Sequence, residues 1–301
     1  MNKSILVIDD EKTQARALSF KLKEKFPDAS CFEASTEEEI ASAVSDVFYN
    51  LAIVDIRMDG HEKSGIDIAN EIIQLNPFAK VLFVTKFLPE YISLLNPLLS
   101  SGRVLGVSEK EEYGVWMEKL TPIITDYYAT LSHSNEVNIA LLDAYATAKN
   151  ETDTYRKGIM FEQFVALLFR SIGYNVINKR VKDLSANEID LVVRNEIDDS
   201  FLTKFGKYIL VECKNRPDSN TSKNDFIVFK NKLNSTCGMA TLGFLFTTSS
   251  IARTTYIEAV RESQGDSKVI FVDNARMEKL LMADDLREAL KRIIDSQVRD
   301  N

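Results

Sequence analysis

Two sets of residues in this 301-residue chain have the types and spacing to do chemistry. The first is Asp9 and Asp10, Asp55, Thr85 and Lys110, each lying at or just beyond the end of a short apolar run. Carboxylates gathered at one rim repel each other, and three of them make a hard-oxygen site suited to Mg2+. A lone aspartate after a strand is usually a cap or a solvated loop residue. Four run ends supplying Asp-Asp, Asp, Thr and a nearby Lys form a far more specific pattern. The second set is Glu162, Asp190 and the triplet Glu212-Cys213-Lys214. A converging Asp and Glu can hold Mg2+, and a lysine beside them can orient a water or neutralise a phosphorane, which is the equipment for hydrolysing a phosphodiester. Taken singly, Glu212 and Lys214 read as a surface ion pair, and Glu162 as a solvated helix residue.

The elements that must position these residues follow from periodicity. Residues 5–8, 51–54, 81–84 and 104–107 are apolar runs with the length of buried parallel strands, and 29–34 is an edge-strand candidate. Between them, 13–25, 36–47, 65–75 and 90–99 have helical spacing, so this part is α/β, a doubly wound parallel sheet. Such sheets bind ligands at the carboxyl ends of their strands, where the first set lies. From 113 to 149 the chain is helix-rich, with a polar break at 132–135 that holds His133, and 126–153 is expected as a helical connector. Residues 158–173 form a helix closed by Gly173, and 174–179, 188–193 and 208–214 read as strands. Pairing the last two as a hairpin brings Asp190 to Glu212. Alternation puts Leu210, Glu212 and Lys214 on one face and Ile209, Val211 and Cys213 on the other, so Cys213 reads as a small core residue. Residues 195–207 are a polar connection, and 277–298 reads as one amphipathic helix.

Over about residues 1–125 the sequence resembles the receiver domain of two-component response regulators. The resemblance implies a flavodoxin-like (βα)5 domain in which Asp55 accepts a phosphoryl group from a sensor histidine kinase or another phosphodonor. Mg2+ would be held by Asp10, Asp55, Asp9 and the carbonyl of Arg57, while Thr85 and Lys110 bind the phosphoryl oxygens. Three positions depart from the family pattern: the loop from Arg57 to Gly65 is two residues longer and lacks the common Pro, Lys86 stands where a small residue is usual, and Val107 occupies the aromatic switch position. The usual aromatic-rotation readout is therefore not expected.

Over about 155–275 the sequence resembles the PD-(D/E)XK restriction-endonuclease-like superfamily, nearest its Mrr-type and archaeal Holliday-junction-resolvase-like branches. The resemblance rests on Gly158-x-x-Phe161-Glu162, Ser171-Ile172-Gly173-Tyr174-x-Val176, Glu188-Ile189-Asp190, Glu212-Cys213-Lys214 and the passage 238–249. It implies a restriction-endonuclease-like α/β domain over 154–301, with Asp190, Glu212, Lys214 and Glu162 as catalytic residues. Asp190 and Glu212 would be the ligands of Mg2+, for which Mn2+ can substitute.

Composition bounds these readings. With 45% hydrophobic and 27% charged residues, the chain is ordinary globular material for two domains. Three cysteines, odd in number and far apart, argue against a disulfide framework and for a reducing compartment. The start reaches carboxylates within ten residues, so no signal peptide is expected and a cytoplasmic location is. Residues 235–252 run 18 positions without charge, but seven are Ser or Thr and two are Gly, which fits a strand and its turn better than a membrane span. The net charge of -8 would discourage nucleic acid if it were spread evenly. It is not: residues 1–135 hold 13 basic against 21 acidic side chains, and the rest hold 24 of each. A neutral second half permits a basic groove for DNA, for which Lys179, Arg180, Lys182, Arg216 and Lys223 are candidates, with Lys230 and Lys232 nearby. The expected function is a phosphorylation-regulated, Mg2+-dependent DNA endonuclease acting as a homodimer in a signalling, defence or repair setting. Its rivals are a non-catalytic adaptor or DNA-binding regulator, and a nuclease acting on RNA or branched DNA.

Overall fold

The computed structural model describes residues 3–76, 78–130, 134–182, 188–236, 238–262 and 265–300. The chain divides into two compact units, Met1–Ala140 and Leu141–Asn301. Among the described residues no helix is long and apolar enough to cross a membrane.

In the first unit, strands β1 (Ser4–Ile8), β2 (Ser30–Ala34), β3 (Leu51–Asp55), β4 (Lys80–Thr85) and β5 (Val104–Glu109) alternate with helices α1 (Lys12–Lys25), α2 (Glu37–Asp46), α3 (Gly65–Leu75), α4 (Leu88–Ser100) and α5 (Tyr113–Thr130). The sheet order is β2-β1-β3-β4-β5, parallel throughout. This is the flavodoxin-like doubly wound order, with its switch point between β1 and β3. Every residue of β1 and of β3 is buried, as unbroken apolar runs covered by helices on both faces must be. The expected helices appear within a few residues of their predicted ends. Thr36 caps α2 by accepting from the Glu39 N–H, and Ser64 and Asp67 form a capping box at α3. Gly65 is fixed by space: a Cβ there would lie 1.7 Å from the carbonyl oxygen of Asp55. The start of α3 can thus lie directly against the end of β3.

Helix α5 belongs to this unit: Trp116, Leu120, Ile124, Tyr127 and Tyr128 are buried, and the Tyr128 hydroxyl donates to the Asn50 side chain. Helix α6 (Ser134–Asn150) follows, and the division between the units falls inside it. His133 lies outside the described residues.

The second unit begins from α7 (Thr154–Ile172), whose N-cap Asp153 accepts from the Arg156 N–H and whose end is turned by Gly173 at φ 120. Most of α7 is buried, with Phe161, Phe164 and Phe169 in the core beside Phe244 and Phe246. Strands β6 (Ile177–Lys182), β7 (Glu188–Arg194), β8 (Tyr208–Lys214), β9 (Ala240–Thr247) and β10 (Lys268–Val272) form a sheet of order β10-β9-β8-β7-β6. The pairs β6–β7 and β7–β8 are antiparallel, as the hairpin expectation requires, while β8–β9 and β9–β10 are parallel. The remaining helices are α8 (Lys223–Asn234), α9 (Arg253–Arg261), α10 (Asn274–Leu281) and α11 (Leu286–Asp300).

Two expectations need correction. The polar connection 195–207 contains a short 3-10 turn at Leu202–Phe205. The single helix expected over 277–298 is two, because Asp285 Oδ1 accepts from the N–H groups of Arg287 and Glu288 and so caps a fresh start. Asp273 likewise caps α10 three residues ahead of the expected start.

Candidate functional site

The first-unit site is built from strand ends. Asp9 and Asp10 follow β1, Asp55 closes β3, Thr85 closes β4, and Lys110 follows β5. The Lys110 ammonium reaches Asp9 Oδ2 at 2.6 Å, Asp55 Oδ2, and Gln14 Oε1 at 3.0 Å. Its own N–H donates to the Thr85 carbonyl at 2.8 Å, which ties the ends of β4 and β5 together. Asp9 is held by the Glu11 N–H and Asp10 by the Asp59 N–H. The carboxylate oxygens of Asp9, Asp10 and Asp55 lie within 4.8 Å of one another, and among the described residues no other trio of acidic, Cys or His ligands is that tight. Burial raises the Asp9 and Asp55 carboxyls above their usual range, against the pull of Lys110. Burial lowers the lysine, but the two carboxylates outweigh it and its pKa rises. Three crowded hard oxygens with a single ammonium fit a divalent cation well.

A cavity of about 180 Å3 opens above this rim, lined by Asp10, Asp55, Arg57, Asp59, Lys86 and Lys110 among others. Lys86, 4.0 Å from Glu11, and Arg57, paired with Asp59 at 2.9 Å, bring two further cations to the mouth. The lengthened loop is anchored by His61, whose Nε2 meets the Ser35 carbonyl at 3.0 Å. Sequence reasoning assigned no role to His61 or to Gln14. The latter lies on the first turn of α1, facing the strand ends.

The second-unit site straddles the hairpin. Leu191 pairs with Val211, so the same register puts Asp190 opposite Glu212, on one face of the sheet. Asp190 Oδ2 accepts from the Cys213 N–H at 2.7 Å. Glu212 is 4% exposed, and each of its oxygens holds a lysine: Oε1 takes Lys214 Nζ at 2.7 Å, and Oε2 takes Lys232 Nζ at 3.0 Å. Lys232 comes from α8 and also donates to the Glu188 carbonyl at 2.7 Å. Burial, then the charges of Glu212 and Glu162, push the Asp190 carboxyl up to about 7. Lys214 is raised, because Glu212 and Asp190 outweigh the effect of burial. Burial pushes the Cys213 thiol far up, which fits a packing residue and not a nucleophile.

Glu162 is buried on α7, not solvated, and pairs with Arg180 Nε at 2.9 Å. Arg180 has φ 48, a left-handed conformation that costs a non-glycine residue about 1–3 kcal/mol. Its guanidinium also lies 5.8 Å from the Tyr155 ring. Asp190 and Glu212 supply hard oxygens suited to Mg2+, although this acid set is less tight than the first.

The cations proposed for a nucleic-acid groove are mostly engaged. Lys179 is buried, Arg180 holds Glu162, Arg216 pairs with Asp225 at 3.3 Å, and Lys223 pairs with Glu258 at 2.9 Å. The Lys182 side chain lies outside the described residues. Lys230 is not a surface cation: it is 6% exposed and donates to the Ser267 carbonyl. The sequence held that signal, since Phe226, Phe229, Lys230 and Leu233 follow the i, i+3, i+4, i+7 spacing of a core stripe.

Residues 156–281 match a restriction endonuclease family. The matched segment runs from α7 to the end of α10 and contains Glu162, Asp190, Glu212 and Lys214, so the second unit carries a restriction-endonuclease-type domain. No curated protein matches the chain. Solved structures similar to it include the response regulator TrrA from Thermotoga maritima, in complex with Mg2+ and BeF, at 29% identity over 40% of this chain and 98% of that one, TM-score 0.32. A CheY-like receiver domain protein from Methanospirillum hungatei is 23% identical over 43% of this chain and 99% of that one, TM-score 0.35. A receiver domain protein from Clostridium thermocellum is 23% identical over 44% and 99%, TM-score 0.35. The receiver-type fold of the first unit stands on its own strand order and strand-end site.

Proposed function

We propose that this protein is a metal-dependent DNA endonuclease whose activity is set by phosphorylation of Asp55. In this reading residues 1–125 are the receiver, 126–153 the connector and 154–301 the nuclease. One observation carries it: in the segment matched by the restriction endonuclease family, Asp190 and Glu212 face each other across a strand pair with Lys214 bonded to Glu212.

Asp190 and Glu212 would hold Mg2+ or Mn2+, and the cation would supply charge neutralisation at the scissile phosphate and a more acidic water. The Cys213 N–H fixes the Asp190 carboxylate, so its free oxygen has a set direction. Lys214, which sits on Glu212 Oε1, would orient the attacking water or meet the negative charge that builds on phosphorus. In the receiver, Asp55 is the nucleophile toward a phosphodonor, with Asp9 and Asp10 as cation ligands. Lys110 then moves its ammonium from carboxylate to phosphoryl oxygen, and the Thr85 hydroxyl supplies a further hydrogen bond. DNA and a sensor kinase or small phosphodonor are the partners this chemistry requires, and two copies of the chain are the proposed assembly.

The test is incubation of the full chain with Mg2+ or Mn2+ and linear, supercoiled, branched and single-stranded substrates, with and without acetyl phosphate. Cleavage that is lost in Asp190→Ala and Lys214→Ala supports the reading, and cleavage that survives both substitutions removes it. A second reading, a phospho-regulated module that binds nucleic acid without cutting, is favoured by the lysines already on both oxygens of Glu212. Metal-independent binding with no cleavage of any substrate would select it.

A further inference from the structure

The restriction-endonuclease-type unit contains a second concavity, of about 640 Å3, formed between α8, α9, β10 and α11 with the 3-10 turn at its edge. This volume lies in the range of small-molecule sites, about 300–1,000 Å3. Its walls are apolar, with Phe205, Phe226, Leu242, Val269 and Ile294 among them. Lys230 lines the same space. Lys230 is only 6% exposed, yet among the described residues its ammonium makes a single hydrogen bond, to the Ser267 carbonyl. Among the described residues no carboxylate forms an ion pair with it. An ammonium has three donors, so two find no partner among the described residues.

The other buried polar groups of the cavity are committed. Gln297 accepts from the Phe271 N–H and donates to the Val269 carbonyl, and the Ser267 hydroxyl donates to Asn234. Glu262, Lys268 and Asp295 also line the concavity but are exposed, where water screens them. The cavity is distinct from the candidate catalytic site. Lys232, two residues further along α8 and so about 200° around it, is the residue that reaches Glu212.

We infer that this cavity is a binding site for an amphipathic carboxylate, its apolar body lying among the phenylalanine and aliphatic side chains and its head on the Lys230 ammonium. A buried cation without a counter-ion is costly, and an anion that arrives with its own apolar cover relieves that cost while keeping the interior dry. Burial and then the neighbouring Lys268 lower the Lys230 pKa, and the exposed Glu262 offsets them only in part, so an anion seated on the ammonium would be favoured. The inference does not depend on nuclease activity.

Titration calorimetry of the full chain with dodecanoate and with its neutral methyl ester tests it. Dodecanoate should bind at a single saturable site. Lys230→Met, which keeps the stem and removes the charge, should weaken dodecanoate about tenfold or more while leaving the ester within about twofold. Ala259→Phe, which places a ring in the cavity, should remove both ligands while the chain still melts cooperatively. Absence of dodecanoate binding to the wild type, or equal binding by Lys230→Met, overturns the inference. Should Lys230→Met not fold, dodecanoate binding retained by Ala259→Phe overturns it instead.

Discussion

The two acidic sites solve the same electrostatic problem in opposite ways. In the receiver-type unit three clustered aspartates have one ammonium among them, that of Lys110, which bonds Asp9 and Asp55 but not Asp10. In the restriction-endonuclease-type unit Glu212 alone holds two lysines, and Glu162 holds Arg180. The first rim, with Arg57 and Lys86 only at its mouth, keeps a concentration of negative charge that an added divalent cation would relieve. The second is balanced by its own side chains, so a divalent cation must first displace an ammonium. The difference predicts that the first site takes Mg2+ readily and the second poorly until a phosphodiester draws Lys214 or Lys232 away. The second site would then be loaded by its substrate.

The largest effect that can break this comparison is at Asp55. Asp55→Ala should lower phosphoryl uptake from labelled acetyl phosphate to background, and uptake retained by that variant would place the acceptor elsewhere. Next come Asp190→Ala and Glu212→Ala, each expected to slow nicking of supercoiled DNA on the order of a thousandfold, as loss of a group that stabilises transition-state charge does. A smaller and more pointed effect belongs to Lys232→Met. Removing the competing ammonium should lower the Mg2+ concentration needed for half-maximal cleavage by about tenfold. An unchanged Mg2+ requirement would mean that Lys232 does not guard Glu212.

The smallest effect is in stability against pH. Below the ordinary aspartate value of 3.8 Asp190 is protonated whether folded or not; between that value and about 7 the unfolded chain ionises while the folded chain keeps its proton. Stability without metal should therefore fall as pH rises through this window. Asp190→Asn should flatten the fall by a few degrees, roughly 5 °C in melting temperature, measured in chelator at several pH values. An identical pH profile for variant and wild type would remove the raised carboxyl from the account.

The first unit was legible because four of its five strands are apolar runs with a candidate site residue at or just beyond the end, and a parallel sheet brings such ends to one rim. Asp9, Asp10, Asp55, Thr85 and Lys110 needed only that rule. In the second unit, two-residue alternation was enough to place Asp190, Glu212 and Lys214 on one face. Lys232 was harder, because its contact with Glu212 depends on how α8 lies over the sheet, which no local period encodes. Lys230 was misjudged because its charge was weighed above its place in an apolar stripe. The basic side chains near the hairpin looked like a groove in sequence, where their acidic partners Glu162, Asp225 and Glu258 are distant from them or unremarked. Residues 277–298 kept an amphipathic pattern through a break that only the cap at Asp285 announces.

The central claim, that the Asp190–Glu212–Lys214 face hydrolyses phosphodiesters under control of Asp55, is tested most directly by a nicking assay on supercoiled DNA in Mg2+. Wild type, Asp190→Ala and Asp55→Ala would be run side by side, each with and without acetyl phosphate. The account predicts cleavage by wild type at a rate that changes with acetyl phosphate, cleavage by Asp55→Ala that ignores it, and none by Asp190→Ala. Cleavage by Asp190→Ala at the wild-type rate, or a wild-type rate indifferent to acetyl phosphate, would contradict it.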